Sequence, residues 1–414
     1  MAKSKKILFL LSGNISTTPR AVKAIESAVE FGYSVELWMV NRATKWKALD
    51  VSILERFNCK YTYLTIIRNE SIGKWLIANV LNVGSRILSA VGLKSTGISA
   101  LASSKVNCLY RLCVHNLKRS DADLIYGFSS MTYPAWMSAK LLRVPFAFDM
   151  EDYHPWENVY HTNVERERRR REAILKKILP DMSWVSFASP MIQKQTEKLL
   201  EAGSSQLKVS FTLNNTFRAS DFVLEPSSGE KVRFVWFSQT VSYGRGLELI
   251  LPYIMKFKDK VELTIIGNMD EHFRQDYLSI NLENIHILPA MCQSDLHRRI
   301  SQYDIGLATE IFSDLEDNRA LCLSNKIFTY LLSGLFIFAT DTPAQKDFIE
   351  SHPAHGMVVT PDAQSLESGF QFMIDNISKI RVEKATRFDA ARKFSWENEQ
   401  KYLLREMRKV LEHT

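Results

Sequence analysis

Apolar residues fall along this 414-residue chain in two recurring forms, short unbroken runs and longer amphipathic stretches. The run 6–11 (KILFLL) is apolar without alternation, as expected of a strand covered on both faces. A polar loop at 12–20 (SGNISTTPR) follows, then an amphipathic segment 21–31 closed by Gly32, then a second apolar run at 34–40. Strand, helix and strand in that order predict a βαβ unit and a parallel sheet. Runs at 124–126, 145–148, 184–188 and 209–213 predict later strands, with a helix after the third of them reaching Leu200.

A second series starts at Val232. Its predicted strands are 232–236, 261–266, 285–288, 305–308 and 336–339, and a Gly244-Arg245-Gly246 loop opens a helix at Leu247. The pattern predicts an α/β chain with two Rossmann-like domains facing each other across a cleft. The first spans 1–219, a turn-rich linker covers 220–231, and the second spans 232–395. A polar helix at 396–414 is long enough to cross back toward the first domain. Ligands of such sheets gather at the carboxyl ends of the strands.

Composition fits this reading: 46% hydrophobic and 24% charged residues describe an ordinary globular chain. Charge changes the picture more. Residues 1–215 carry 30 Lys+Arg against 18 Asp+Glu, and residues 216–414 carry 23 against 28, so a net of +12 faces a net of −5. The basic half therefore suits an anionic surface or ligand. No nucleic-acid motif accompanies it, and nucleic acid is not expected as a partner. Five cysteines (59, 108, 113, 292, 322) match neither zinc spacing nor a disulfide framework, which points to the reducing cytoplasm. The N-terminal apolar core, 7–11, is shorter than the roughly 7–15 residues of a signal peptide.

The string 318–345 (NRALCLSNKIFTYLLSGLFIFATDTPAQ) concentrates the candidate chemistry. A polar loop with Asn325 and Lys326 opens a helical segment, Gly334 stops it, a buried strand follows, and Thr342-Pro343 turns the chain. A helix N-terminus of this kind can hold an anion. This string resembles the donor-binding block of GT-B glycosyltransferases, usually P-N-K-x-x-E-Y-x-x-x-G-x-P-V. Further segments resemble the large retaining family 4 group in order and spacing. They are Gly32-Tyr33-Ser34-Val35, Phe148-Asp149-Met150-Glu151-Asp152 with His154, Ala188-Ser189-Pro190, Asn214-Asn215, Gly244-Arg245-Gly246-Leu247-Glu248, Ile265-Ile266-Gly267 and Asp304-Ile305-Gly306-Leu307. The chain departs from the family at Leu321 and Thr329, where the E-x7-E pair would stand, and at Ser238-Gln239-Thr240, where an Arg is usual.

The resemblance implies a GT-B enzyme of the hexosyltransferase type (EC 2.4). It would move a sugar, with retention, from a nucleotide diphosphate sugar to a hydroxyl of a growing glycan, envisaged as lipid-linked cell-surface polysaccharide. The nucleotide sugar is the substrate, and no separate cofactor or metal is expected. Such transfer needs positive charge at the leaving phosphate. Arg245, set between glycines that let backbone approach a phosphate, and Lys326, at a helix start, are the candidates. Gln239, Gly244, Gly246, Glu310, Asn325, Thr329 and Thr342 are expected around the donor, although Asn325 can equally serve the helix start. In the first domain Asp149 and His154 are candidate bases for an acceptor hydroxyl. Asn14, Arg20, Glu151 and Asp152 are expected on the acceptor side.

Residues 72–93 repeat Ile, Leu and Val at helical spacing, interrupted by Lys74, Asn79, Asn82 and Arg86. The interruptions argue against a membrane span. Core packing and interfacial contact with an anionic membrane both remain open, so the expected location is the cytoplasm with peripheral contact at the inner membrane face. Two rival functions share the fold: a nucleotide-sugar epimerase, which needs no acceptor, and a degenerate glycan- or nucleotide-binding protein. A dehydrogenase is disfavoured because the first βα loop lacks G-x-G-x-x-G.

Overall fold

The computed structural model describes residues 4–41, 46–157, 163–278, 283–312 and 316–412. The chain divides into two compact units. One holds the chain to Leu213 together with Gln400 onward, and the other holds Asn214–Glu399.

Seven strands form the first sheet: β1 (Lys6–Leu11), β2 (Ser34–Asn41), β3 (Lys60–Thr65), β4 (Leu124–Phe128), β5 (Phe146–Met150), β6 (Val185–Phe187) and β7 (Ser210–Thr212). Their order is β3-β2-β1-β4-β5-β6-β7, and every pairing is parallel. The apolar residues of β1, β4 and β5 are buried, as both-face coverage requires. Pro19 starts the helix Pro19–Glu30, where its missing N–H has no intrahelical partner to lose.

The second sheet holds β8 (Val232–Val241), β9 (Val261–Met269), β10 (Ile285–Leu288), β11 (Ile305–Ala308), β12 (Phe336–Thr340) and β13 (Gly356–Val359). Its order is β10-β9-β8-β11-β12-β13, again parallel throughout. Both units are thus Rossmann-like. Segment 220–231 is fastened to the second unit. Phe222 stacks on His297 at 4.2 Å between ring centres, and Arg381 donates to the carbonyls of Gly229 and Lys231.

Two contacts seat the helix Asn325–Leu332 on this sheet. Tyr330 lies over Gly306 so closely that a Cβ there would stand 2.2 Å from the ring. Its hydroxyl reaches the carbonyls of Val235 and Leu307 at 3.3 Å. At the base of β11, Asp304 accepts two hydrogen bonds from Arg381 (2.9 and 2.8 Å) and one from the Arg233 amide (2.9 Å). The strand that ends at the candidate site is anchored there.

Candidate functional site

The carboxyl edge of the second sheet gathers most of the residues expected at a donor site. Arg245 lies exposed in the loop between Gly244 and Gly246, with no partner for its guanidinium among the described residues. Both glycines have positive φ, +71° and +82°, and a Cβ on Gly246 would stand 2.3 Å from the Thr309 carbonyl oxygen. Only glycine lets this loop lie against the end of β11. The Gly244 amide donates to Glu248, and the Gly244 carbonyl accepts from Arg319 at 3.3 Å. Arg319 also reaches the Ile311 carbonyl at 3.1 Å, so it ties the glycine loop to the chain leaving β11.

Lys326 stands in the first turn of its helix, which Ser324 caps by accepting the Lys326 amide at 3.4 Å. Its ammonium donates to Glu310 and lies 5.2 Å from the centre of the Trp236 ring. Glu310 is fixed through its backbone. Its amide donates to the Thr340 hydroxyl (2.9 Å), and that hydroxyl donates to the Glu310 carbonyl (2.6 Å). Asn325 is half-buried at the helix start, and Gln239 is exposed where β8 shifts register between Phe237 and Thr240.

Among the described residues, the oxygens at this edge that are buried without a protein partner include Thr309 Oγ1, Thr342 Oγ1 and Glu248 Oε2. Buried polar atoms are nearly always satisfied, so a cluster of orphans calls for water or a ligand. Thr342 was expected from sequence; Thr309, Glu248 and Arg319 were not. Thr329 is a correction. It is 1% exposed, and its hydroxyl donates to the Asn325 carbonyl at 3.2 Å, so no face is left for a ligand.

The first unit corrects three more expectations. Arg20 and Asp149 are both fully buried and form a two-pronged pair, Nε to Oδ1 and Nη2 to Oδ2, each 2.7 Å. Ser186 donates to Asp149 at 2.6 Å, and Arg20 Nη1 donates to the Leu213 carbonyl at 2.7 Å. Burial alone would pull the Arg20 guanidinium down, but the charge and hydrogen bonds of Asp149 hold it above its ordinary value. Asp149 is therefore not a free base, nor Arg20 an acceptor contact. Asn14 is likewise taken: its amide donates to the buried Asp50 at 2.7 Å, beside the Ser16 amide and the Tyr63 hydroxyl. Asp50 escaped sequence reading because its partners come from β3 and the first loop.

Glu151, Asp152 and His154 do stand together beyond the end of β5. Burial pushes the Glu151 carboxyl up to about 7; Arg20 and Lys23 oppose the rise, while Asp152 and Asp149 add to it. His154 donates from Nε2 to the Ser129 carbonyl (2.8 Å), and Nδ1 faces the Glu157 carboxylate at 3.0 Å. Burial would lower its pKa, yet Glu157, Asp152 and the Ser129 carbonyl raise it overall, favouring the doubly protonated ring. Ser129 itself has φ +53°, a strained value for serine, at the end of β4. Asn107, Thr132, Tyr133, His154, Glu157 and Arg171 line a hollow at this edge.

No protein-family model matches the chain, and no curated protein matches it in sequence. Solved structures do match in fold. A glycosyltransferase from Rickettsia africae aligns over 100% of both chains with a TM-score of 0.69 at 12% identity. HepE of Anabaena, in complex with UDP, aligns over 98% of this chain and 100% of its own with a TM-score of 0.64 at 14% identity. A UDP-GlcNAc 2-epimerase from Neisseria meningitidis, bound to UDP-GlcNAc, aligns over 98% and 100% with a TM-score of 0.56 at 14% identity. The fold is GT-B.

Proposed function

We propose that the protein is a glycosyltransferase that moves a sugar from a nucleotide diphosphate sugar to an acceptor hydroxyl, without a metal or other cofactor. The observation that carries this reading is the edge of the second sheet. There, exposed Arg245 on a glycine loop and Lys326 at a helix start supply charge for a diphosphate. The orphaned oxygens of Thr309 and Thr342, with Glu310, suit hydroxyl-rich ligands. UDP and UDP-GlcNAc in structures of the same fold support the donor class. We further propose a place beside the retaining family 4 enzymes, with retention, and a hydroxyl of a growing lipid-linked glycan as acceptor. Removing Asp149 and the engaged imidazole of His154 from the candidate bases favours a course in which the leaving phosphate accepts the acceptor proton.

The test is a thermal-shift screen with UDP, GDP and ADP, followed by UDP-sugars. A ligand at a hundredfold excess over its dissociation constant adds about 2.7 kcal/mol. UDP is expected to raise the melting temperature, and UDP-sugar with a hydroxyl acceptor to release UDP. Absence of a shift with all three nucleotides would sink the reading. An isomerised sugar formed from donor alone would instead establish the epimerase reading, which the epimerase neighbour keeps in view.

Glu151 supplies a second expected result. With its pKa raised to about 7, the carboxylate predominates only above neutrality. If it accepts a hydrogen bond from the acceptor hydroxyl, kcat/KM rises as pH increases through about 7, and Glu151→Gln flattens that limb. Stability runs the other way. A raised carboxyl pKa stabilises the fold fully below the ordinary carboxyl range, and this contribution is lost as pH rises through the folded value. A merely structural Glu151 would move the melting curve and leave the rate profile unaltered.

A further inference from the structure

The helix Ile72–Ala90 is packed inside out. Its buried residues are Ala78, Asn82 and Ser85. Asn82 donates to the carbonyls of Leu101 and Ala102, and Arg86 donates to that of Ala102. Ile72, Leu76, Ile77, Val80, Val83, Ile87 and Leu88 point instead to solvent, followed by Val91 and Leu93, with exposures between 42% (Leu88) and 71% (Val91). At 3.6 residues per turn, the exposed apolar side chains of the helix and Val91 cover one continuous arc of about 160° along about 28 Å. An apolar surface of this size marks an interaction site.

Charge selects the occupant. Residues 71–120 contain seven Lys or Arg and no Asp or Glu. Among them, Lys74 and Lys94 lie exposed near the two ends of the apolar stripe. Arg68 stacks over Trp75 at 5.3 Å, an amphipathic pair of the kind enriched at membrane interfaces. Two copies joined through this face would bring two acid-free basic segments together, whereas an anionic headgroup layer neutralises them. No helix among the described residues is long and apolar enough to cross a membrane, so contact would be lateral. The arginine run 166–171 adds less free charge than its sequence suggests. Arg170 and Arg171 are engaged by Glu167, Ser89, Glu157 and the His154 carbonyl, and Arg169 pairs with Glu165.

We propose that this helix lays the protein flat on an anionic lipid surface, its apolar arc among the acyl chains and its flanking lysines at the headgroups. The proposal stands apart from the sugar-transfer reading. Where both hold, the acceptor is lipid-borne, because the helices Thr96–Ser103 and Lys105–Cys113, against which this one packs, also supply Ser103 and Asn107 to the His154 hollow.

Flotation of the full chain with vesicles tests it. Phosphatidylcholine alone is compared with phosphatidylcholine containing about one-third phosphatidylglycerol. The protein is expected to float with the anionic vesicles, less so at high salt, and weakly with phosphatidylcholine. Ile72→Ser/Val80→Ser/Ile87→Ser, all at exposed sites, is expected to reduce partitioning about tenfold or more at an unchanged melting temperature. Lys74→Gln/Lys94→Gln should weaken binding to the anionic vesicles only. Failure of the wild-type chain to float, or equal flotation of the triple variant, overturns the proposal. A concentration-dependent dimer that the triple variant abolishes, without vesicle binding, overturns it in favour of contact between copies.

Discussion

Arg20→Met and Asp149→Leu are each expected to destabilise the first unit by about 3–5 kcal/mol, because each leaves the other charge buried and unpaired. Neither side chain is more than 1% exposed, so water cannot replace the lost partner. The pair also fastens separate elements. Arg20, on the helix Pro19–Glu30, reaches Asp149 in β5 and the carbonyl of Leu213 just beyond β7. Asp149 in turn holds Ser186 in β6, whose hydroxyl lies 2.8 Å from that of Tyr126 in β4.

The double substitution Arg20→Met/Asp149→Leu removes both charges and fills the space with apolar atoms. It should be less destabilising than either single change, since paired buried ions are often neutral against well-packed hydrophobic residues. Urea unfolding of the four proteins measures this coupling. Single changes below about 1 kcal/mol, or strictly additive effects, would defeat the account. The same series separates structure from chemistry. If Asp149 were the acceptor base, Asp149→Asn would melt like the wild type and lose turnover; a structural Asp149 lowers both together.

The strands that run apolar without interruption were legible in the sequence, and β1, β10 and β11 have the predicted bounds. Strands β3 and β13, both at sheet edges, were not: KYTYLT mixes polar residues, and the glycine-led GMVV follows directly on the turn 353–355. The placing of Asn325, Lys326 and Thr342 at the edge of the second sheet was legible because a local string, loop then helix then strand, carries them. Thr329 misled because a helix of eight residues has a buried face that spacing alone did not assign. The first unit was harder to read. Asp149 and Arg20 lie 129 positions apart, and nothing local announces that each neutralises the other. A charged residue at a strand's carboxyl end looks the same in sequence whether it faces a ligand or its ion-pair partner. Arg319 lies within the same local string, but its role depends on carbonyls at Gly244 and Ile311 that only the fold brings near. The apolar spacing of 72–93 was plain as well; its outward direction was not.

Arg245→Ala is expected to lower kcat/KM for sugar transfer by about 10²–10³-fold, equivalent to roughly 3–4 kcal/mol of lost stabilisation of charge on the leaving phosphate. Because Arg245 is exposed and has no partner among the described residues, the variant's melting temperature should match that of the wild type. Lys326→Met should lower turnover comparably but also loosen the fold, since Lys326 is 6% exposed and its removal strands Glu310. Glu310→Gln distinguishes the two roles of the lysine. It keeps the cation and removes its partner's charge. If Lys326 serves the phosphate, Glu310→Gln retains nucleotide affinity or raises it, while Lys326→Met loses it. If the lysine only balances Glu310, both variants melt early and neither changes UDP affinity once compared at a temperature where both are folded. Titration of UDP against each variant, alongside a melt of the free protein, decides between them. Equal UDP affinity in Arg245→Ala, Lys326→Met and the wild type would remove this edge of the second sheet as the donor site.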